Sequence, residues 1–141
     1  MVVAQLDITG EQLERLLTAA YASKKGVFQV SGLEVKLSRC QVPDRLRGFT
    51  LSGGKKIDPA RRYKVALPDF LARGGDGLGP VLATIDPSEV DLAENKGSNL
   101  RDDLINYWQA KKETFKPPKS GRVTFVDNAE LCAAGNSTHM P

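Results

Sequence analysis

Apolar residues along the chain follow two rhythms, one of period two and one of three and four, and each change of rhythm marks an element. Residues 2–6 are short and β-prone. They lead into a well-marked helix start. Thr9 and Gln12 have capping-box spacing, in which the threonine oxygen accepts from an amide of the first turn while the glutamine reaches back to the cap. Ile8 and Leu13 can close a hydrophobic staple around the same turn. Leu13, Leu16, Leu17, Ala20 and Tyr21 then recur at helical spacing, an apolar stripe that packs one face on a core. Lys24-Lys25-Gly26 supplies the basic residues and the glycine at which a helix stops.

Val27-Phe28-Gln29-Val30 and Leu33-Glu34-Val35-Lys36-Leu37 alternate as half-buried strands around Ser31-Gly32. Residues 46–51 read as a strand, Ser52-Gly53-Gly54 and Asp58-Pro59 as turns, and residues 63–67 as a further apolar strand. Asp86-Pro87-Ser88-Glu89 opens a short helix. Ser98 or Asn99 caps a longer one, with Leu100, Leu104, Ile105 and Trp108 on one face and Trp108 expected in the core. Lys116-Pro117-Pro118-Lys119 ends that helix and residues 121–126 read as a last strand. The order predicts an α+β domain, a mixed β-sheet with helices packed on it. It occupies residues 1–126, with residues 127–141 an aperiodic, disordered tail.

The chain has 141 residues and 40% apolar content, enough for one domain that buries roughly two thirds of its unfolded surface. Its 20 basic and 17 acidic residues are dispersed, with Lys24-Lys25, Lys55-Lys56, Arg61-Arg62 and Lys111-Lys112 as pairs, not runs. That dispersion argues against a nucleic-acid surface. No apolar run reaches the roughly 20 residues that span a bilayer, so no membrane partner is expected. Cys40 and Cys132 lack metal-ligand spacing, and their redox state is open at this level.

The inventory for hydrolysis is thin. The single histidine, His139, stands near the end of the tail, and no HExxH, GxSxG, phosphate-binding loop or His/Asp cluster is present, so no catalytic or metal-binding residue is assigned. The stretch 67–77 is different. An apolar strand runs into Pro68, and Phe70 precedes Gly74-Gly75-Asp76-Gly77, one aromatic and one carboxylate beside backbone that a ligand can approach closely. The tetrad resembles that of cyclases making cyclic dinucleotides, but Gly77-Leu78 stands where those continue with Glu-Phe. A phosphate cradle fits poorly, because an ionised Asp76 in its middle repels phosphate. A carboxylate accepts both hydroxyls of a ribose diol, and an aromatic ring offers a face to a base. On that reading Asp76 takes the sugar and Phe70 the base. The plain alternative is a turn that needs its glycines, with Asp76 capping it and Phe70 in the core.

Several stretches carry a wider resemblance: Ile8-Thr9-Gly10-Glu11-Gln12-Leu13, Gly26-Val27-Phe28-Gln29-Val30-Ser31-Gly32-Leu33, and Ile57-Asp58-Pro59 with Tyr63-Lys64-Val65-Ala66 ahead of residues 69–77. Leu100-Arg101-Asp102-Asp103-Leu104-Ile105 and Gly121-Arg122-Val123 complete the series. In this order they resemble the C-terminal domain of the 5′-nucleotidases and their relatives, the UDP-sugar hydrolases, 2′,3′-cyclic-nucleotide phosphodiesterases and apyrases. The resemblance implies a substrate-recognition domain that works with an N-terminal metallophosphoesterase domain holding two divalent metals. It implies a stacking role for Phe70, a ribose-binding role for Asp76, and a place for Gly74, Gly75 and Gly77 in the substrate site. Phe28 lies in a family motif but reads as core.

Leu78 replaces the aromatic that usually follows the motif, which loosens the expected pocket wall. The family's first stacking aromatic and its phosphate-gripping residues belong to a segment ahead of the opening strand. The chain therefore reads as a partial domain, truncated on its N-terminal side, with weak affinity for nucleosides and nucleotides. An exposed apolar seam allows self-association. Family members are exported, which implies a periplasmic or extracellular location. Alternatives are a structural or interaction module without ligand, or part of a relative acting on a non-nucleotide ester.

Overall fold

The computed structural model describes residues 1–22, 28–94, 96–117, 119, 121–128, 130 and 132. Strand β1 (Val3–Thr9) runs into helix α1 (Gly10–Ala22), followed by β2 (Leu33–Leu37), β3 (Leu46–Leu51) and β4 (Arg62–Pro68). Short helices α2 (Asp69–Ala72) and α3 (Gly79–Leu82) flank a 3-10 turn at Gly75–Gly77; then come β5 (Val90–Asp91), α4 (Leu100–Lys111) and β6 (Val123–Phe125). The class is α+β, and the strands divide over two three-stranded sheets, ordered β4-β1-β5 and β3-β2-β6.

β1 is the centre of the first sheet. It pairs antiparallel with all of β4, Val3 opposite Pro68 through Thr9 opposite Arg62, and with β5 at Gln5 and Leu6. Its alternation sends Ala4, Leu6 and Ile8 into the interior. In the second sheet β2 pairs antiparallel with β3, with a register shift at Lys36–Leu37, and parallel with β6. Helix α1 packs Leu13, Leu16, Leu17, Ala20 and Tyr21 into one core with Leu6, Ile8, Val35, Leu37, Leu78 and Ile85.

The entry of α1 follows from its sequence. Gln12 Oε1 accepts from Thr9 N at 2.9 Å, and Gln12 N donates to Thr9 Oγ1 at 3.2 Å, so both halves of the capping box form. Gly10 needs to be glycine for a different reason: a Cβ there would lie 2.2 Å from the Asp58 carbonyl oxygen and 2.7 Å from Ile57 Cγ2. Gly10 N and Glu11 N donate to Arg61 O and Pro59 O at 2.9 and 3.1 Å, which binds the helix start to the turn before β4.

Two expectations change. Residues 28–30 are not a strand: Phe28 O accepts from Tyr21 Oη at 3.0 Å and Val30 O from Arg122 Nη1 at 3.3 Å, so side chains satisfy carbonyls that a ladder would have used. Phe28 still packs on the core, edge-on to Tyr21. Trp108 is not core. It is 43% exposed, and α4 contributes no buried residue despite its capping by Asn99 Oδ1, which accepts from Arg101 N at 2.9 Å. The expected helix stop at 24–26, Pro118 and His139 lie outside the described residues.

The start of the sequence-defined tail is tied down. Asp127 Oδ2 accepts from the hydroxyl of buried Ser38 at 2.5 Å, and Oδ1 from Arg39 N at 2.6 Å. Cys40 and Cys132 form a disulfide with Cα atoms 4.8 Å apart. Together these fasten the segment after β6 to the loop after β2.

Candidate functional site

The site is built where β4 ends. The antiparallel pairing with β1 carries β4 to Pro68, and the chain turns at once into α2. Asp69 anchors that turn to the first residues of the chain: its N–H donates to Val2 O at 2.9 Å, and its Oδ1 accepts from Val2 N at 3.3 Å. Sequence reading missed this role of Asp69; the signal was an acidic residue directly after the proline that ends the strand.

Helix α2 is a single turn, and its three remaining side chains divide sharply. Ala72 is buried and Leu71 packs on the core, while Phe70 is 58% exposed. The expectation of a core phenylalanine, the plain alternative for this loop, does not hold. Gly74 then adopts φ 100° and ψ 14°, left-handed backbone that reverses the chain, with its N–H donating to Leu71 O at 3.0 Å. After Gly75, Asp76 stands at φ 52° and ψ 35° and Gly77 at φ 83°. Left-handed backbone at a non-glycine residue is uncommon, aspartate being among the side chains that tolerate it, and such positions concentrate at functional loops.

Leu78 closes the loop by entering the core at 2% exposure. Its N–H donates to Gly75 O at 3.2 Å, and its carbonyl accepts from Leu82 N at 2.9 Å. Leu78 is thus a structural peg below the loop, not a wall of a pocket. The Phe70 ring stands directly over Gly75, close enough that a Cβ at residue 75 would fall 2.4 Å from Cε1. Phe70, the three glycines and half-buried Asp76 therefore come together in one compact turn. Arg73, which follows α2, pairs with Glu94 at 2.9 Å; both side chains are exposed, so the pair orients the loop's flank more than it stabilises the fold.

Chemically the arrangement offers an exposed aromatic ring and, one residue after the glycine beneath it, an aspartate in left-handed backbone. It suits binding of a flat ring that carries hydroxyl donors. The residues do not suit a dimetal centre. Among the described residues, the cluster of potential metal-ligand atoms is Cys40, Asp127 and Cys132, within 4.8 Å of one another. Its two sulfurs are joined in the disulfide, and both Asp127 carboxylate oxygens already accept hydrogen bonds, Oδ2 from the Ser38 hydroxyl and Oδ1 from Arg39 N. No helix among the described residues is long and apolar enough to cross a membrane.

Residues 2–84 match the family model of the 5′-nucleotidase C-terminal domain, a span that contains the whole turn. The snake venom 5′-nucleotidase of Macrovipera lebetinus is 28% identical over 121 residues, covering 84% of this chain and 26% of that protein. The cell wall protein Lmo0130 of Listeria monocytogenes is 25% identical over 142 residues, covering 92% of this chain and 17% of that protein. Among solved structures, the 5′-nucleotidase precursor of Thermus thermophilus superposes with a TM-score of 0.66 at 19% identity, over 90% of this chain and 25% of that one. The chain thus spans about a quarter or less of the length of these relatives.

Proposed function

The chain belongs to the 5′-nucleotidase C-terminal domain family, and from that premise we propose that it recognises the nucleoside part of a substrate for nucleotide hydrolysis. Phe70 stacks on the base and Asp76 accepts the ribose hydroxyls, with the backbone of Gly74 and Gly77 shaping the turn between them. The observation that carries this reading is the exposed Phe70 ring standing over Gly75, one residue before an aspartate in left-handed backbone. Hydrolysis belongs on this reading to a separate N-terminal metallophosphoesterase domain with two divalent metals, in a protein serving nucleotide catabolism. A single stacking face contributes about 1–3 kcal/mol, short of the roughly 4 kcal/mol of a millimolar complex, and with the ribose contacts added affinity of this chain alone is on the order of millimolar.

A periplasmic or extracellular setting goes with the reading. Disulfides persist in oxidising compartments, and Cys40–Cys132 is one. Two of the relatives are by name a venom protein and a cell wall protein.

Comparison of adenosine with 2′,3′-dideoxyadenosine tests the assignment. Loss of two hydrogen bonds to a carboxylate predicts at least about a hundredfold weaker binding of the dideoxy compound, since each such bond is worth roughly 1.5–3 kcal/mol. Asp76→Ala should remove the difference. Equal binding of both compounds by the unaltered chain would exclude Asp76 as the ribose acceptor.

A second reading, an interaction module without a nucleoside, draws on one observation: Leu104, Ile105 and Trp108 are all exposed on α4. It predicts no response to adenosine at any concentration, together with concentration-dependent association in size-exclusion chromatography.

A further inference from the structure

We propose that Gly75 is a positioning residue: it seats the Phe70 ring, so that the ring is a fixed platform with one face closed by main chain and one face open. The inference rests on the nucleoside reading only for what lands on the open face.

A Cβ at residue 75 would lie 2.4 Å from Phe70 Cε1, 2.5 Å from Cζ and 2.7 Å from Cδ1. Three successive ring carbons at nearly equal distances place the face of the ring, not its edge, over that position. An edge-on approach would leave the two neighbours much farther away than the nearest atom. Non-bonded carbons rest at about 3.5–4.0 Å, so any side chain at residue 75 has to expel the ring. The helix beneath cannot yield, because Asp69 is bonded to Val2 on both its backbone and its carboxylate, and Leu71 and Ala72 point into the core. The ring itself would have to rotate away.

Backbone conformation does not account for this glycine. Gly74 and Gly77 have φ 100° and 83°, whereas Gly75 is not among the positive-φ residues. At Gly77 an added Cβ would meet nothing within 4 Å. The two neighbours thus serve different needs: Gly77 supplies a conformation and Gly75 supplies room. A ring seated before the ligand arrives has already lost the rotamer freedom that stacking would otherwise cost, and preorganisation of this kind raises affinity without a new contact.

The test is an NMR study of the unaltered chain, Gly75→Ala, Gly77→Ala and Phe70→Leu, with adenosine as probe. In the free wild-type protein, the Phe70 ring should show NOEs to the Gly75 α protons, and those protons should be displaced upfield and return on Phe70→Leu. Gly75→Ala should abolish the ring contacts and weaken adenosine about tenfold with no loss of melting temperature, while Gly77→Ala keeps the ring contacts. A merely structural glycine at ordinary φ predicts the same unimpaired stability but intact ring contacts and intact binding, so the contacts and the affinity decide between the two. Absent ring contacts in the wild-type protein, or adenosine binding unchanged by Gly75→Ala, would overturn the proposal. Should Gly75→Ala fail to fold, the ring-current shift and its loss in Phe70→Leu still decide. Ring contacts without any nucleoside binding would uphold the seat and sink the nucleoside reading.

Discussion

Helices α1 and α4 are near twins in design and opposites in use. Each is opened by a capping side chain, Thr9 with Gln12 in one and Asn99 in the other, and each carries large apolar residues at helical spacing. Helix α1 buries that whole stripe against both sheets, and α4 buries none of it. What holds α4 is its ends. Leu100 N donates to Met1 O at 2.9 Å at one end, and beyond the other end β6 pairs with β2 and is fastened by the Asp127 contacts and the disulfide. A period-3.6 stripe specifies that a helix has an apolar face; it does not specify what the face meets.

Removing the covalent tie should have the largest effect. The disulfide joins residues 92 apart, and closing a loop of that size stabilises by about 4–5 kcal/mol in the chain-entropy model. Cys132→Ser should therefore lower the urea midpoint strongly, and hydrogen exchange should rise first in residues 100–128 while α1 stays protected. Equal loss of protection in both helices would break the contrast.

Next in size, Leu16→Ala in α1 should cost about 2–5 kcal/mol, because it empties a packed site. Leu104→Ala in α4 should stay within about 0.5 kcal/mol in a dilute monomer. A cost for Leu104→Ala approaching that of Leu16→Ala would mean that α4 is covered in solution. The caps sharpen the same comparison on a smaller scale. Thr9→Ala should lower global stability by about 1 kcal/mol, whereas Asn99→Ala should fray α4 locally and leave the global transition in place.

The smallest effect is one of pH. The Ser38 hydroxyl and the Arg39 amide hold the folded Asp127 carboxyl below its ordinary value of 3.8. Its contribution is therefore fully present above that value and is lost as pH falls through the lower folded one. Asp127→Asn should flatten the acid limb of a stability-against-pH curve, read by thermal melts from pH 5 downward.

What was legible in the sequence followed from local physics. The capping box, the α1 stripe, the 46–51 strand and the 52–54 turn all depend on neighbours a few residues away, and all are present. The left-handed turn at 74–77 was legible because glycines cluster there. The division into two sheets, the loss of the 28–30 strand to Tyr21 and Arg122, and the exposure of Trp108 depend on partners far along the chain. The Asp127 and Cys132 attachments, with partners about ninety residues away, left no periodic trace. In the candidate site the residue types were legible, while the outward aim of Phe70, the anchor at Asp69 and the inward turn of Leu78 required the fold.

The most direct test of nucleoside recognition is a backbone-amide NMR titration of the chain with AMP. Shifts that saturate in the millimolar range, centre on residues 70–77, and vanish in Asp76→Ala are the predicted result. A folded protein whose amides in that turn stay unmoved at saturating AMP, or whose shifts gather on α4 instead, would contradict it.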